Sequence, residues 1–140
     1  MDNSDTAGVS AVGNWKSATA PSGYWGAAYL HDNGTSKSSN ALRWTPLLPQ
    51  SGRYEVSARW PVGSPKSGGL STAVPYTIYT PAGTYTLSRN QSTAGGTWVS
   101  LGTYSFSAGR NLNTGAIRLT NNGTSGTVTA DAVRWVWVSP

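Results

Sequence analysis

The chain has 140 residues, including ten Lys or Arg and five Asp or Glu, which give a formal net charge of +5. This length predicts one domain, residues 1–140. The lack of Cys excludes disulfides, thiolate metal sites and a cysteine nucleophile. No apolar run reaches the roughly 18 residues of a membrane span, so we expect no membrane partner.

The positive charge does not predict nucleic-acid binding. The Arg residues are scattered singly along the chain, with no basic helix and no recognisable RNA or DNA motif. Residues 1–20 also lack the basic start and apolar stretch of a signal peptide. If a parent protein is secreted, we therefore expect its leader to lie outside this sequence.

Short runs of Val, Ile, Thr, Tyr and Trp between Gly-, Pro- and Asn-rich turns predict an all-β fold. The predicted strands, in chain order, are ALRWT, RYEVSARWPV, VPYTIYT, TYTLS, TWVSLGTYSF, AIRLT and VTADAVRWVWV. No stretch has the pattern of a helix of three turns. The number and spacing of the strands predict a single jelly-roll β-sandwich.

Alternation along the strands indicates which side chains enter the core. In RYEVSARWPV, one face carries Tyr54, Val56, Ala58 and Trp60. We expect these residues to be buried, since side chains two apart share a face. Strand position also predicts core burial for Trp15 and Trp44.

The segment TWVSLGTYSF contains Trp98 at its start. Leu101, Tyr104 and Phe106 are expected to face inward, with Gly102 forming a bulge that shifts the alternation by one residue. Because large aromatic residues contribute strongly to core burial, this pattern favours a core or core-rim position for Trp98 over an exposed ligand platform.

The two ends of the chain are expected to pair, because a buried closing strand needs a neighbour and the opening segment can supply one. Such pairing would bring Asp131 close to Asp2 and Asp5. Three carboxylates with nearby carbonyls could bind calcium, which prefers six to eight oxygens. The alternative is that Asp131 caps a turn or pairs with a residue such as Arg134.

The sequence offers little for catalysis. His31 is the single histidine and is followed by Asp32 in a polar turn, which favours a surface position. No pattern resembles a nucleophile with an oriented base. Glu55 shares a strand face with Arg53 and Arg59, which predicts a surface ion pair rather than a general acid. We expect a noncatalytic module.

Several segments together resemble the golvesin C-terminal-like family, also called xanthan-lyase-associated or carbohydrate-binding-like domains. They are DNSDTAGVSAVGNW, GYWGAAYLHDNGT, WTPLLPQSGRYEVSARWP, NQSTAGGTWVSLGTYSFSAG and GTVTADAVRW. The resemblance implies a noncatalytic β-sandwich module of an extracellular bacterial enzyme, which holds a neighbouring catalytic domain on its polymer. The loop WPVGSPKSGGLSTA, which contains Lys66, departs from the family pattern.

A polysaccharide-binding surface needs exposed aromatic rings beside polar groups. The candidate ligand-binding residues are Tyr24, Trp25, Tyr29, His31, Arg59, Lys66, Tyr79, Arg89, Asn90 and Gln91. For Trp25, a loop packed over the core is an equal alternative, and Asn90 and Gln91 could instead cap a turn. Arg43, Arg59 and Arg118 would form a basic face for sugar carboxylates if they share a sheet, unless they pair with Glu55.

These observations predict a secreted, monomeric module that binds acidic polysaccharide and needs no cofactor; structural calcium at the three Asp residues is the open alternative. The competing hypothesis is a structural or protein-interaction spacer that orients the adjacent catalytic domain. The apolar ending WVWVSP is consistent with that alternative. Trp135 and Trp137 are two residues apart and so share one strand face. We expect both to be buried in the core.

Overall fold

The computed structural model describes all residues from Met1 to Pro140 and contains strands but no helices. The strands of the first half are β1 (Val9–Val12), β2 (Lys16–Ala18), β3 (Tyr29–His31), β4 (Ala41–Trp44) and β5 (Gly52–Arg59). The remaining strands are β6 (Val74–Thr80), β7 (Gly83–Arg89), β8 (Val99–Phe106), β9 (Ala116–Thr120), β10 (Thr129–Ala130) and β11 (Ala132–Ser139). No helix with the length and apolar character of a membrane crossing is present.

The strands form one large and two small antiparallel sheets. The five-stranded sheet has the order β1-β4-β9-β6-β7, and the three-stranded sheets have the orders β10-β3-β2 and β11-β5-β8. Inward side chains of the five-stranded sheet and of the β11-β5-β8 sheet meet in one core. This arrangement confirms the predicted all-β sandwich.

The alternation in the sequence identifies the core correctly. Tyr54, Val56, Ala58 and Trp60 are buried, and Trp44 is also buried at 1% exposure. Trp15 is half-buried against the core rim, where its Nε1 donates to the carbonyl of Ala41 at 3.1 Å.

The predicted irregularity in β8 is present. The pairing of β5 with β8 changes register between Val56 and Ser57, which lie opposite Gly102 and Ser100. Leu101 is the extra residue between them, and Gly102 has a φ of 112°, in the left-handed region that favours glycine.

The opening segment pairs with the closing strand, as predicted. Asp2 forms an antiparallel bridge with Ala132. The Met1 amino group donates to the Val133 carbonyl at 2.6 Å, and the Val133 N–H donates to the Met1 carbonyl at 3.0 Å. This pairing places the first residues beside the segment that contains Asp131.

One side of the sandwich is closed by contacts between β7 and β8, which are edge strands of different sheets. The Arg89 guanidinium donates from Nε and Nη2 to the Ser100 carbonyl at 3.2 and 3.0 Å. The rings of Tyr85 and Tyr104 lie 5.1 Å apart. These contacts connect the two sheets outside the main core.

Candidate functional site: an aromatic platform with two arginines

Trp25 and Trp98 form a pair of indole rings on the outside of the β11-β5-β8 sheet. Their ring centroids are 5.5 Å apart with an interplanar angle of 55°. Trp25 is 49% exposed and Trp98 is half-buried. Trp98 belongs neither to the main core cluster nor to the residues packed against it. We call this pair, with Arg59 and Arg134, the aromatic platform.

The strand pairing explains why Trp98 points outward. Val99 lies opposite Ala58, whose side chain is in the core, so the preceding Trp98 faces the other way. The expectation of a core or core-rim position for Trp98 is therefore wrong. The sequence contained the signal, since Trp98 is three residues before the inward Leu101 and so has the opposite phase.

Two guanidinium groups complete the platform. Arg59 Cζ lies 5.7 Å from the Trp25 ring centroid and 5.6 Å from that of Trp98, and Arg134 Cζ lies 4.7 Å from the Trp98 centroid. Arg59 is fixed further by donation from Nε to the Gly23 carbonyl at 2.8 Å. The sequence-based candidates do not include Arg134. Its position next to the buried Val133 nevertheless predicts an outward side chain.

Glycines allow the two platform segments to approach each other. A Cβ added to Gly23 would lie 3.0 Å from the Gly96 Cα, and one added to Gly95 would collide with the Pro61 carbonyl oxygen. Gly23 also has a φ of 98°, which disfavours other residues. The Gly pair in STAGGTW therefore brings the start of β8 against the loop that carries Trp25.

Asp131 lies beneath the platform and holds the Trp25 backbone. Its Oδ2 accepts the Trp25 N–H at 2.9 Å, whereas its Oδ1 is buried without a partner in the protein. The pKa of Asp131 is raised to about 7, chiefly by burial and also by the nearby Asp2, while the Trp25 hydrogen bond and Arg59 oppose the rise. The Asp131 carboxylate thus bonds a distant loop, at Trp25, rather than a turn next to it in the sequence. It forms no ion pair with Arg134.

The two tyrosine candidates near Trp25 are less accessible. Tyr29 is fully buried, its hydroxyl donates to the Ala20 carbonyl at 2.6 Å, and burial raises its pKa to about 12. Tyr24 is half-buried, packs 5.4 Å from Tyr29 and donates to the Thr19 carbonyl. These rings support the loop below Trp25, and the expectation that Tyr29 binds ligand is wrong.

His31 is also buried, contrary to the predicted surface position. It lies in β3 at 7% exposure, and its Nδ1 accepts the Asn33 N–H at 3.1 Å. Burial lowers its pKa despite the neighbouring Asp32 carboxylate, so the ring is neutral at pH 7. His31 does not present its imidazole to a ligand.

Asn90 and Gln91 have structural partners. The Asn90 Oδ1 accepts the Ser92 N–H at 2.9 Å and so caps the turn. Gln91 is 1% exposed; its Oε1 accepts the Thr129 N–H at 2.9 Å, and its Nε2 donates to the Thr129 carbonyl and the Tyr76 hydroxyl, both at 3.0 Å. Gln91 is therefore a buried cross-link, which excludes the ligand contact expected for it.

Three remaining candidates lie away from Trp25 and Trp98. Arg89 connects β7 with β8 as described above, and Lys66 is exposed and donates to the Asn33 carbonyl at 2.8 Å. Tyr79 lies on the outer face of the five-stranded sheet, where its ring stacks under Arg43. Arg59 is in the other sheet, so the predicted basic face of three arginines is reduced to Arg43 and Arg118.

The predicted calcium ligands do not form a metal centre in this structure. Asp2 and Asp131 are neighbours, and the Asp5 carboxylate instead accepts the Asp2 N–H at 3.0 Å. No group of three or more His, Cys, Asp or Glu side chains is placed to hold a metal ion. Glu55 accepts the Ser100 hydroxyl at 3.1 Å and has no ion pair, so its predicted pairing with arginine is wrong.

Comparison with known proteins assigns the chain to a family. The sequence profile of the golvesin C-terminal domain matches residues 1–137. The chain belongs to the golvesin C-terminal domain family. This golvesin C-terminal domain is 36% identical to a xanthan lyase from Bacillus sp. (strain GL1), over 99% of the chain but 14% of the lyase. It also matches the structure of a Paenibacillus xanthan lyase with a TM-score of 0.90 and 41% identity, over 99% of the chain and 13% of the lyase.

The platform of this golvesin C-terminal domain has the chemistry of a sugar-binding surface. Aromatic faces carry negative charge density and can pack against the C–H groups of a pyranose ring. The two guanidinium groups can donate paired hydrogen bonds to hydroxyl or carboxylate oxygens. The Trp25 backbone is held by its hydrogen bond to Asp131, and Arg59 is held by its bond to the Gly23 carbonyl, so these two residues need little ordering when a ligand binds.

Proposed function

We propose that this domain is a noncatalytic carbohydrate-binding module of an extracellular bacterial enzyme that degrades polysaccharide or cell wall. The observation that carries the proposal is the aromatic platform: Trp25 and Trp98 side by side, with Arg59 and Arg134 in contact with the rings. The similarity to xanthan lyases supports an association with polysaccharide, since this domain spans 14% of the lyase from Bacillus sp. and a catalytic domain could lie elsewhere in such a chain.

The ligand class that fits the platform best is acidic polysaccharide. The domain has a net charge of +5 and a single ion pair, Lys37–Asp32, so none of its arginines is paired with a carboxylate. Arg59 and Arg134 would attract a uronate or pyruvate carboxylate while the indoles contact the sugar ring. Binding through these charges should weaken as salt is added.

Affinity electrophoresis tests the proposal. The monomeric domain should be retarded in gels that contain an acidic polymer such as xanthan, alginate or pectin, and less so in a neutral glucan. Trp25→Ala and Arg134→Gln should restore free mobility, while their unfolding midpoints stay close to that of the unmodified domain. Trp137→Ala removes a partly exposed Trp from another surface and is the matched control. Retardation that survives Trp25→Ala would contradict the assignment of the platform.

A second function is favoured by one apolar surface. Leu47, Pro49, Trp135 and Trp137 line a shallow hollow, in which Leu47 is 68% and Trp137 36% exposed. The expectation of core burial holds only in part for Trp135, which is half-buried against the core, and fails for Trp137. Such a patch could contact a neighbouring catalytic domain and make this module a spacer. Unchanged mobility in every polymer gel would favour this function over polysaccharide binding.

A further inference from the structure

A continuous row of polar side chains crosses the outer face of the five-stranded sheet. Successive cross-strand partners are Ser10 with Arg43, Arg43 with Arg118, Arg118 with Thr77, and Thr77 with Thr86. The row therefore contains one residue from each strand, at a strand spacing of about 4.8 Å. In the three central strands β4, β9 and β6, the residues on either side of the row are buried in the core, so the row faces away from it. These buried neighbours are Leu42, Trp44, Ile117, Leu119, Tyr76 and Ile78.

The two arginines in this row are placed opposite each other without a counter-charge. None of the five carboxylates lies in a strand of this sheet, and the single ion pair, Lys37–Asp32, is elsewhere. Like charges that face each other across two strands destabilise a sheet. The fold therefore maintains a local repulsion that an external anion would relieve.

The arginines also differ in a way that suits anion binding. Arg43 is fixed, since its guanidinium lies 4.3 Å from the Tyr79 ring centroid and donates to the Leu112 carbonyl at 3.0 Å. Arg118 is half-buried, and its guanidinium has no hydrogen bond to the protein, so the guanidinium donors are available. One anchored and one free guanidinium can both donate to a single carboxylate. The Thr77 and Thr86 hydroxyls bond to each other at 3.1 Å, which leaves one hydroxyl proton for an external acceptor.

From these observations we infer that the Ser10–Thr86 row is a second binding surface, which holds a carboxylate of an extended acidic polysaccharide between Arg43 and Arg118. The surface lies on the opposite side of the sandwich from the aromatic platform, so one domain holds two polymer segments. This inference rests on the proposed function only in assigning the carboxylate to a polysaccharide. The anion site itself does not depend on the platform.

Nuclear magnetic resonance of the arginine Nε–Hε and tryptophan indole groups tests the two surfaces separately. The probe is tetragalacturonate, a short linear uronate, titrated at moderate salt. The Nε–Hε signals of Arg43 and Arg118 should shift in a saturable way, and the shifts should persist in Trp25→Ala. Arg118→Gln should remove the Arg43 shift, whereas Arg53→Gln, an equal charge change in β5, should leave it.

The outcomes separate this inference from the proposed function. Absence of saturable shifts at Arg43 and Arg118 would overturn the second surface, even if the indole signals of Trp25 and Trp98 respond. An equal loss of the Arg43 shift in Arg53→Gln and Arg118→Gln would also overturn it, because diffuse charge attraction would then explain the binding. If the arginine signals shift while the indole signals stay unchanged, the result would contradict the aromatic platform but not the second surface. Arg118→Gln should fold at least as stably as the unmodified domain, since it removes the repulsion.

Discussion

The substitution Asp131→Asn should change how the stability of this domain depends on pH. Burial raises the pKa of Asp131 from 3.8 to about 7, so between these values the native state holds a proton that the unfolded chain has released. The contribution of Asp131 to the free energy of unfolding is therefore fully present below its pKa in the unfolded chain. It is lost as the pH rises to its pKa in the native state. A difference of about three pH units corresponds to about 4 kcal/mol.

Asparagine has nearly the same shape and cannot ionise. Its amide oxygen can still accept the Trp25 N–H, and its amide nitrogen can donate toward the neighbouring Asp2. At about pH 4 we expect similar free energies of unfolding for the two proteins, and by about pH 8 the variant should be more stable by up to about 4 kcal/mol. Other titrating groups, such as Asp32, are shared and cancel in the difference.

Urea unfolding, followed by circular dichroism at intervals between about pH 4 and pH 8, measures this difference directly. A constant difference between the two proteins over the whole interval would refute the reasoning, because Asp131 would then not titrate where its burial places it. A variant that is less stable at the upper end would refute it as well, since the ionised carboxylate would have to contribute favourable interactions that exceed its cost of burial.

Three further predictions concern stability measured by urea unfolding. Gln91→Ala should cost about 2–4 kcal/mol, because it leaves buried partners without hydrogen bonds. Trp60→Ala should lower the free energy of unfolding by about 3–5 kcal/mol. Trp25→Ala should lower it by about 1 kcal/mol or less, because the Trp25 ring is half exposed. Equal losses in the two variants would place both rings in the core. Gly95→Ala should cost at least about 1 kcal/mol, since its Cβ would meet the Pro61 carbonyl oxygen; an unchanged unfolding midpoint would argue against this close approach.

Local alternation was sufficient to predict much of the fold. It placed Val56 and Trp60 in the core and Gly102 at a bulge, because side-chain direction in a strand has a period of two. The pairing of the chain ends followed from the need of an apolar terminal strand for a neighbour. The same rule applies to Trp98, because an odd separation of three residues from the inward Leu101 predicts that Trp98 faces outward.

The polar interior could not be predicted in this way. Gln91 bonds to Thr129, which is 38 residues away, and the Asp131 carboxylate accepts the N–H of Trp25, which is 106 residues away. Partners so distant are fixed by the tertiary fold rather than by any local pattern. The same limit applies to His31, whose polar neighbours indicated a surface turn although its strand lies inside. For Trp25 the sequence left exposure and packing over the core as equal alternatives, and for its partner Trp98 it favoured the core or its rim.

The contacts of Arg89 and Tyr85 have a consequence for the behaviour of the domain in concentrated solution. Sheet edges expose unpaired backbone groups, which can template the addition of strands from other molecules and lead to aggregation. Here the Ser100 carbonyl at the edge of β8 is already occupied by Arg89, and the Tyr85–Tyr104 pair covers the gap between the two edges. A side chain that sequence analysis assigned to ligand binding therefore helps to keep neighbouring copies of the chain apart.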